Sequence, residues 1–147
     1  MYRISILIIL TLSFLISQER TTLHFASPDD NLPGHIINNT SSVADLFTVT
    51  NDYILEGITL WFINNNDTED LIIEVRMDDN GLPGSVIQEW NLTVFGPLDG
   101  MRDYFIDTTS DCVNLVNVNG ITNYWLTVRS NAAVDIIWMQ TANSVYT

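Results

Sequence analysis

The residues best suited to chemistry are the acids and amides of a short loop that begins Asp78-Asp79-Asn80. The following Gly81 suits a positive φ, and Pro83-Gly84 suits the centre of a type II turn. Calcium takes about six to eight oxygen ligands, and carboxylates with backbone carbonyls supply part of such a shell. Acids and asparagines are also ordinary turn formers, and the spacing is not that of an EF-hand. The loop therefore predicts a turn, with calcium binding as a second hypothesis.

A similar loop lies near the N-terminus. Asp29, Asp30 and Asn31 are followed by Leu32-Pro33-Gly34, which matches the first loop with only Gly81 inserted there. The two segments predict a repeated turn type, and Asp29, Asp30 and Asn31 form a second candidate calcium site. Coincidence between two turns in a chain rich in these residues is the alternative.

Residues for catalysis are scarce. His24 and His35 both precede the predicted strands, and no G-x-S-x-G, H-E-x-x-H or Cys/His pair occurs. Glu56, Glu74 and Glu89 could in principle form a glycosidase pair, but their spacing singles out no two of them. Solvated charge on strand faces explains each. The sequence predicts that the protein is not an enzyme.

Cys112 is the single cysteine, so the chain can form no internal disulfide. We expect it to be a small buried hydrophobic residue beside Val113 and Leu115, and the alternative is a reactive or intermolecular thiol.

The tryptophans raise the question of a core or a sugar-stacking surface. All four lie within predicted strands: Trp61, Trp90, Trp125 and Trp138. Tryptophans in half-buried strands belong to the core more often than not. Trp125, between Tyr124 and Leu126, is predicted to be structural. Trp90, beside Glu89, is the candidate for an exposed, ligand-binding residue.

Charge excludes several classes of partner. The 147 residues include 18 acids and five cations, all of them arginine, for a formal net charge of −13. Such a chain cannot neutralise a run of phosphates, which argues against nucleic acid and against anionic lipid surfaces. Hydrophobic residues make up 46% of the chain, which argues against disorder, and the length favours one domain.

The N-terminus predicts export. Arg3 precedes an apolar run over residues 4–16, and Ser17 offers a small residue for cleavage. The run is shorter than the roughly 20 residues that span a bilayer, so we expect a signal peptide over residues 1–17 and no membrane span in the mature chain. The predicted location is secreted, extracellular or at the cell surface.

Four N-x-S/T sequons follow, at Asn38, Asn39, Asn66 and Asn91. In a eukaryotic secreted protein they would be glycan acceptors on the surface. Because asparagine is abundant here, chance sequons are expected.

From residue 43 onward, short runs rich in β-forming residues alternate with clusters of Asn, Asp, Gly and Pro. The predicted strands cover residues 44–50, 53–63, 71–77, 86–95, 104–107, 124–128 and 134–139. This spacing is typical of an all-β fold, an antiparallel, jelly-roll-like β-sandwich. We therefore expect a signal peptide, an N-terminal extended segment over residues 18–42, and a sandwich domain over residues 43–147.

Five motifs occur in order: D-L-F-T-V at 45–49, I-T-L-W-F at 58–62, D-N-G-L-P-G at 79–84, Y-W-L-T-V at 124–128 and W-M-Q-T at 138–141. Their order resembles that of the β-sandwich domains of bacterial exported surface proteins with choice-of-anchor or PEP-CTERM-type sorting tails. The resemblance covers about residues 43–141 and implies the fold, but no common activity. Members of that family usually continue for another strand or two. We therefore expect either a fragment or a last strand supplied by residues 20–37 or a neighbouring subunit.

These observations favour a secreted, non-catalytic structural or adhesive domain that could assemble with copies of itself by strand exchange. The alternative is a calcium-stabilised carbohydrate-binding module that recognises a surface glycan. Calcium is the one cofactor that the sequence suggests.

Overall fold

The computed structural model describes residues 34–98, 100–133 and 135–139. The predicted signal peptide, residues 18–33 and the loop Asp29-Asp30-Asn31 lie outside the described residues. Within them, no helix is both long and apolar enough to cross a membrane.

The described chain is all-β and its strands pair antiparallel throughout, as predicted. The ten strands are β1 (His35–Ile37), β2 (Val43–Val49), β3 (Tyr53–Leu55), β4 (Gly57–Ile63), β5 (Glu69–Asp78), β6 (Pro83–Val94), β7 (Arg102–Asp107), β8 (Val113–Leu115), β9 (Thr122–Ser130) and β10 (Ile136–Trp138).

Eight strands form two four-stranded sheets. Sheet I has the order β1-β10-β4-β7 and sheet II the order β2-β9-β5-β6, while β3 and β8 pair as a separate ribbon. Numbering the eight strands in chain order gives 1-8-3-6 and 2-7-4-5, in which the chain crosses repeatedly from one sheet to the other. This is the strand order of a jelly roll, so the predicted fold class is confirmed.

The core lies between the inner faces of the two sheets. On β4, Ile58 and Phe62 are buried while Thr59 is exposed, and on β5 the buried positions include Leu71 and Ile73. This period of two places one face of each strand inward, and each fully buried side chain of this size contributes about 1.5–3 kcal/mol to folding.

Two strands were not predicted because three residues are too few to show alternation. β8 pairs with β3. β1 pairs with β10, with Ile36 opposite Ile137, and so lies inside the sandwich although residues 18–42 were predicted to precede it. The sandwich therefore includes residues before 43, and residues 35–37 of the N-terminal segment do supply a strand.

Candidate functional site

A charged cluster occupies the outer face of sheet II, opposite the core. We define it as Glu74 and Arg76 on β5, Thr127 and Arg129 on β9, and Glu89 on β6. In the strand register Glu74 lies opposite both Thr127 and Glu89. Because side chains alternate along a strand, Leu71, Ile73 and Val75 point into the core while Glu74 and Arg76 point outward.

Glu74 is the centre of the cluster and is only 1% exposed. Its Oε1 accepts a hydrogen bond from Arg129 Nε at 3.0 Å. Its Oε2 accepts one from Arg76 Nε at 2.8 Å and one from the Thr127 hydroxyl at 2.7 Å. The two arginine side chains close over the carboxylate, which explains its burial on a solvent-side face. The prediction that Glu74 is solvated charge is therefore wrong.

The pKa of Glu74 reflects opposing effects. Burial raises it, because a charged group loses hydration. Hydrogen bonds from Arg76, Thr127 and Arg129, together with the charge of Arg76, lower it and prevail, so that the pKa falls from an ordinary 4.5 to about 2. Glu74 is therefore ionised throughout the physiological pH range.

The arginines also connect the cluster to its surroundings. Arg129 Nη2 donates to Glu89 Oε2 at 3.1 Å, and Arg76 Nη1 donates to the carbonyl oxygen of Gly84 at 2.8 Å. The cluster therefore links β9, β5 and β6 by side chains in addition to the backbone ladder.

Of the three glutamates considered for a glycosidase pair, two come together. Glu74 and Glu89 lie opposite each other on neighbouring strands, with Arg129 between them, while Glu56 lies between β3 and β4. A carboxyl group with a pKa of about 2 cannot donate a proton near neutrality, and both oxygens of Glu74 are engaged. The chemistry this arrangement supports is charge pairing across strands.

The loop of Asp78, Asp79 and Asn80 forms the tip of the β5–β6 hairpin. The backbone N–H groups of Asp79 and Leu82 each donate to the other residue's carbonyl oxygen, at 2.8 and 3.2 Å. Asn80 and Gly81 have φ values of 56° and 84°, which suit a two-residue hairpin turn. The predicted turn at Asn80-Gly81 is confirmed. Pro83-Gly84 was predicted as a second turn, which is wrong, because these residues begin β6.

Three of the side-chain oxygens of this turn bond to the protein itself. Asp78 Oδ2 accepts from the Gly81 N–H at 3.2 Å, and its Oδ1 accepts from the Trp125 indole N–H at 2.7 Å. Asp79 Oδ1 accepts from the Asn80 side-chain amide at 2.9 Å. Within the described ranges, no group of three or more His, Cys, Asp or Glu residues is arranged to hold a metal ion. Calcium binding by Asp78, Asp79 and Asn80 stays a prediction.

The tryptophans are more buried than a sugar-stacking surface requires. Trp125 and Trp138 are buried, and Trp61 is half-buried. Trp90 was the candidate for exposure, but it packs against the core, and its indole N–H donates to Asp111 Oδ2 at 2.6 Å. A ligand-binding role for Trp90 therefore has to rest on the part of its ring that stays accessible.

The sequons divide into two pairs. Asn39 and Asn91 are exposed. The side-chain amides of Asn38 and Asn66, where a glycan would attach, donate hydrogen bonds to the side chain and the backbone of Asp135. The exposed pair is thus the more accessible to glycosylation.

Cys112 is exposed, so its predicted burial is wrong. It has a φ of 51° in the turn before β8, and Val113 and Leu115 take the buried positions of that strand.

Comparisons with family models, with curated proteins and with solved structures find no match to this chain. The resemblance to exported surface domains therefore stays a prediction from the sequence motifs.

Proposed function

We propose that this protein is a secreted, non-catalytic structural or adhesive β-sandwich domain that acts outside the cell or at its surface and assembles through its strands. The observation that carries the proposal is the charged cluster. Its central carboxylate is buried, ionised and bonded to two arginines and a threonine, so the cluster braces three strands.

The distribution of cations supports a bracing role. The described residues contain three arginines, and two of them, Arg76 and Arg129, bond to Glu74. In a chain with so few cations, this uses most of the available positive charge within the domain. A site for an anionic substrate would instead need guanidinium groups that are free to bond the ligand.

Export is supported by the sequence of residues 1–17 and by the acidic composition, which suits a folded domain that must stay dispersed in the extracellular medium. Open edges on both sheets offer the backbone groups through which such a domain can assemble.

The test is to express the full chain with its own N-terminus, so that any processing takes place as in the cell. We expect the product outside the cytoplasm, with a mass lower by residues 1–17, and no hydrolysis of a panel of polysaccharides. An unprocessed protein in the cytosol would contradict export. Glycoside hydrolysis that disappears in Glu74→Gln but persists in the surface variant Asp79→Asn would contradict a non-catalytic role.

A calcium-stabilised carbohydrate-binding module is the second proposal, supported by the acidic hairpin tip. It predicts that calcium raises the melting temperature, that EDTA reverses the rise, and that the double variant Asp78→Asn, Asp79→Asn shows neither. The matched control is Asp103→Asn with Asp107→Asn, which removes two exposed acids elsewhere. A melting temperature unaffected by calcium would retire this proposal.

A further inference from the structure

The four edge strands of the two sheets differ in how they are protected against pairing with another chain. Sheet I ends in β1, which has three residues, and in β7, which carries Arg102, Asp103 and Asp107 among its six. In sheet II, β2 carries Asp45, which lies opposite Leu126 on the core-facing side. Short length, several charges and an inward-pointing charge are the devices by which natural edge strands resist pairing.

β6, the other edge of sheet II, lacks this protection over most of its length. It has twelve residues, and residues 88–94 pair with residues 69–75 of β5 without a shift; the irregular register lies nearer the hairpin, between Val75 and Asp78 of β5. Glu89 is the one ionisable residue in the strand, and Arg129 compensates its charge at 3.1 Å. The strand's own charge at this edge is therefore compensated, although the carboxylates of Asp111 and Asp70 accept hydrogen bonds from the side chains of Trp90 and Thr93.

The backbone of this edge is also available. Among the described residues, the only backbone–backbone hydrogen bonds of residues 88–94 are those of the ladder with β5. The Val94 carbonyl oxygen additionally accepts from the Asn64 side chain. The remaining N–H and C=O groups of residues 88–93 that point away from β5 face the open edge. An added strand would form its backbone hydrogen bonds with these groups.

We propose that residues 88–94 of β6 pair antiparallel with the same residues of a second copy of this chain, joining two four-stranded sheets into one sheet of eight strands. This rests on the proposed function and names the surface through which the domain assembles. A twofold axis makes such an edge self-complementary, because residue i of one copy faces residue j of the other and the reverse.

The sequence of the edge selects the register. An axis at Asn91 uses all seven regular residues, places Asn91 opposite its own copy, and sets Glu89 opposite Thr93. On the core side it sets the half-buried Trp90 opposite Leu92, which is a favourable cross-strand pair. An axis at Glu89 would instead place two carboxylates directly opposite each other, which is unfavourable.

The overall charge of the chain opposes the dimer. Each copy carries a formal charge of −13, so two copies repel at long range. Salt screens this repulsion, with a Debye length of about 10 Å at 0.1 M and about 3 Å at 1 M. We therefore expect the association to strengthen as salt is added, the opposite of an interface built on ion pairs between the two copies.

The experiment is sedimentation of the full chain, expressed in a bacterial host with its own N-terminus, over a range of protein concentrations at low and high salt. The test variant is Asn91→Asp, which is nearly isosteric and places two carboxylates opposite each other on the axis. The control is Asn39→Asp, at an exposed turn between β1 and β2, which changes the net charge by the same amount. We expect a dimer for the native chain and the control, and association weakened by about tenfold or more in Asn91→Asp.

Hydrogen exchange of the native chain gives an independent measurement that needs no variant. Exchange of residues 88–94 should slow as the dimer forms, while that of β7 should not change. Equal association of Asn91→Asp and Asn39→Asp, or protection at β1, β2 or β7 instead of β6, would overturn this inference and leave the proposed assembly through strands intact. A native chain that stays monomeric at high salt and millimolar concentration would contradict both.

Discussion

Two acidic residues lie four positions apart on β5, and they differ in burial and in hydrogen-bond partners. Glu74 is in the middle of sheet II, where Arg76 and Arg129 cover it and bond to its carboxylate. Asp78 is at the end of the strand, is half-buried, and accepts hydrogen bonds from the N–H groups of Trp125 and Gly81. Glu74 is held by two cations and the Thr127 hydroxyl, and Asp78 by neutral donors alone.

The difference shows that position along a strand decides what an acid does. In the centre of a sheet, both neighbouring strands can place side chains over a carboxylate, so it can be buried if cations pair with it. At the hairpin tip the chain reverses, and the carboxylate accepts from the Gly81 N–H within the turn and from the indole N–H of Trp125 on β9. Glu74 therefore couples strands through ion pairs, whereas Asp78 orders a turn and is linked to β9 only through a neutral indole donor.

The largest expected effect comes from removing the buried carboxylate. Glu74→Ala leaves Arg76 and Arg129 without their shared partner and should lower the free energy of unfolding by about 3 kcal/mol, the lower end of the range for a broken buried ion pair, because both arginines can turn to solvent. Urea unfolding measures it. The control is Glu89→Ala, which removes an exposed partner of Arg129 and should cost less than about 1 kcal/mol. Similar losses in the two variants would show that Glu74 is not the centre of the cluster.

The lowered pKa of Glu74 also predicts how the stability of the fold depends on pH. Because folding lowers the pKa of Glu74, its stabilisation is complete above about pH 4.5 and is lost as the pH falls towards 2. The gap between these values corresponds to about 3 kcal/mol. The stability advantage of the native chain over Glu74→Gln should therefore shrink steadily across this window. An advantage that is constant from pH 5 to pH 2 would contradict the lowered pKa.

Removing the carboxylate at the strand end should have a smaller effect. Asp78→Ala leaves the indole N–H of Trp125, a residue only 5% exposed, without its acceptor and also frees the Gly81 N–H. We expect a loss of about 1–3 kcal/mol in the free energy of unfolding. Asp79→Ala is the matched control, since its side chain is exposed and bonds to the neighbouring Asn80, and should stay within about 0.5 kcal/mol. The reverse order would sink this interpretation of the turn.

The backbone of the turn provides the smallest effect. Gly81 has a φ of 84° with no atom near the position of a Cβ, so Gly81→Ala adds conformational strain without a clash. This should cost about 1 kcal/mol. Gly84→Ala tests crowding instead of backbone strain. There the added Cβ would lie 3.0 Å from the Asp79 Cβ and 3.1 Å from the Met77 carbonyl oxygen. A stabilising effect of Gly81→Ala in thermal unfolding would contradict the left-handed turn.

The sequence predicted the faces of β5 but not the state of its central acid. Alternation along residues 71–77 predicts Ile73 and Val75 on the core side and Glu74 and Arg76 on the outer side, as the structure has them. It also predicts Met77 on the core side, which is wrong, because Met77 is 40% exposed. The burial of Glu74 depends on Thr127 and Arg129, which are 53 and 55 residues away, and no local pattern shows that β9 lies beside β5. The signal that was available is the spacing of Glu74 and Arg76 at i and i+2, with Thr127 and Arg129 at the same spacing on another strand.

The β5–β6 turn could likewise be predicted only as far as its own residues determine it. Asn80-Gly81 favours positive φ on its own and forms the turn as expected. Pro83-Gly84 favours a turn just as strongly by residue type, but pairing with β5 extends β6 back to Pro83. Proline is tolerated there because it is the first residue of an edge strand, where a missing N–H need not break a bond to a partner strand. The competition between a turn and a strand is decided by the partner strand and cannot be read from the loop alone.

The most direct test of the account is the titration of the Glu74 carboxyl group, followed by the ¹³C chemical shift of its Cδ in the folded protein. Glu74→Gln assigns the resonance. A carboxylate held in its charged form by the two arginines predicts a midpoint near pH 2. A midpoint at or above the ordinary 4.5 would mean that the arginines do not hold the carboxylate in its charged form, and it would contradict the structural role proposed for this face of the sheet.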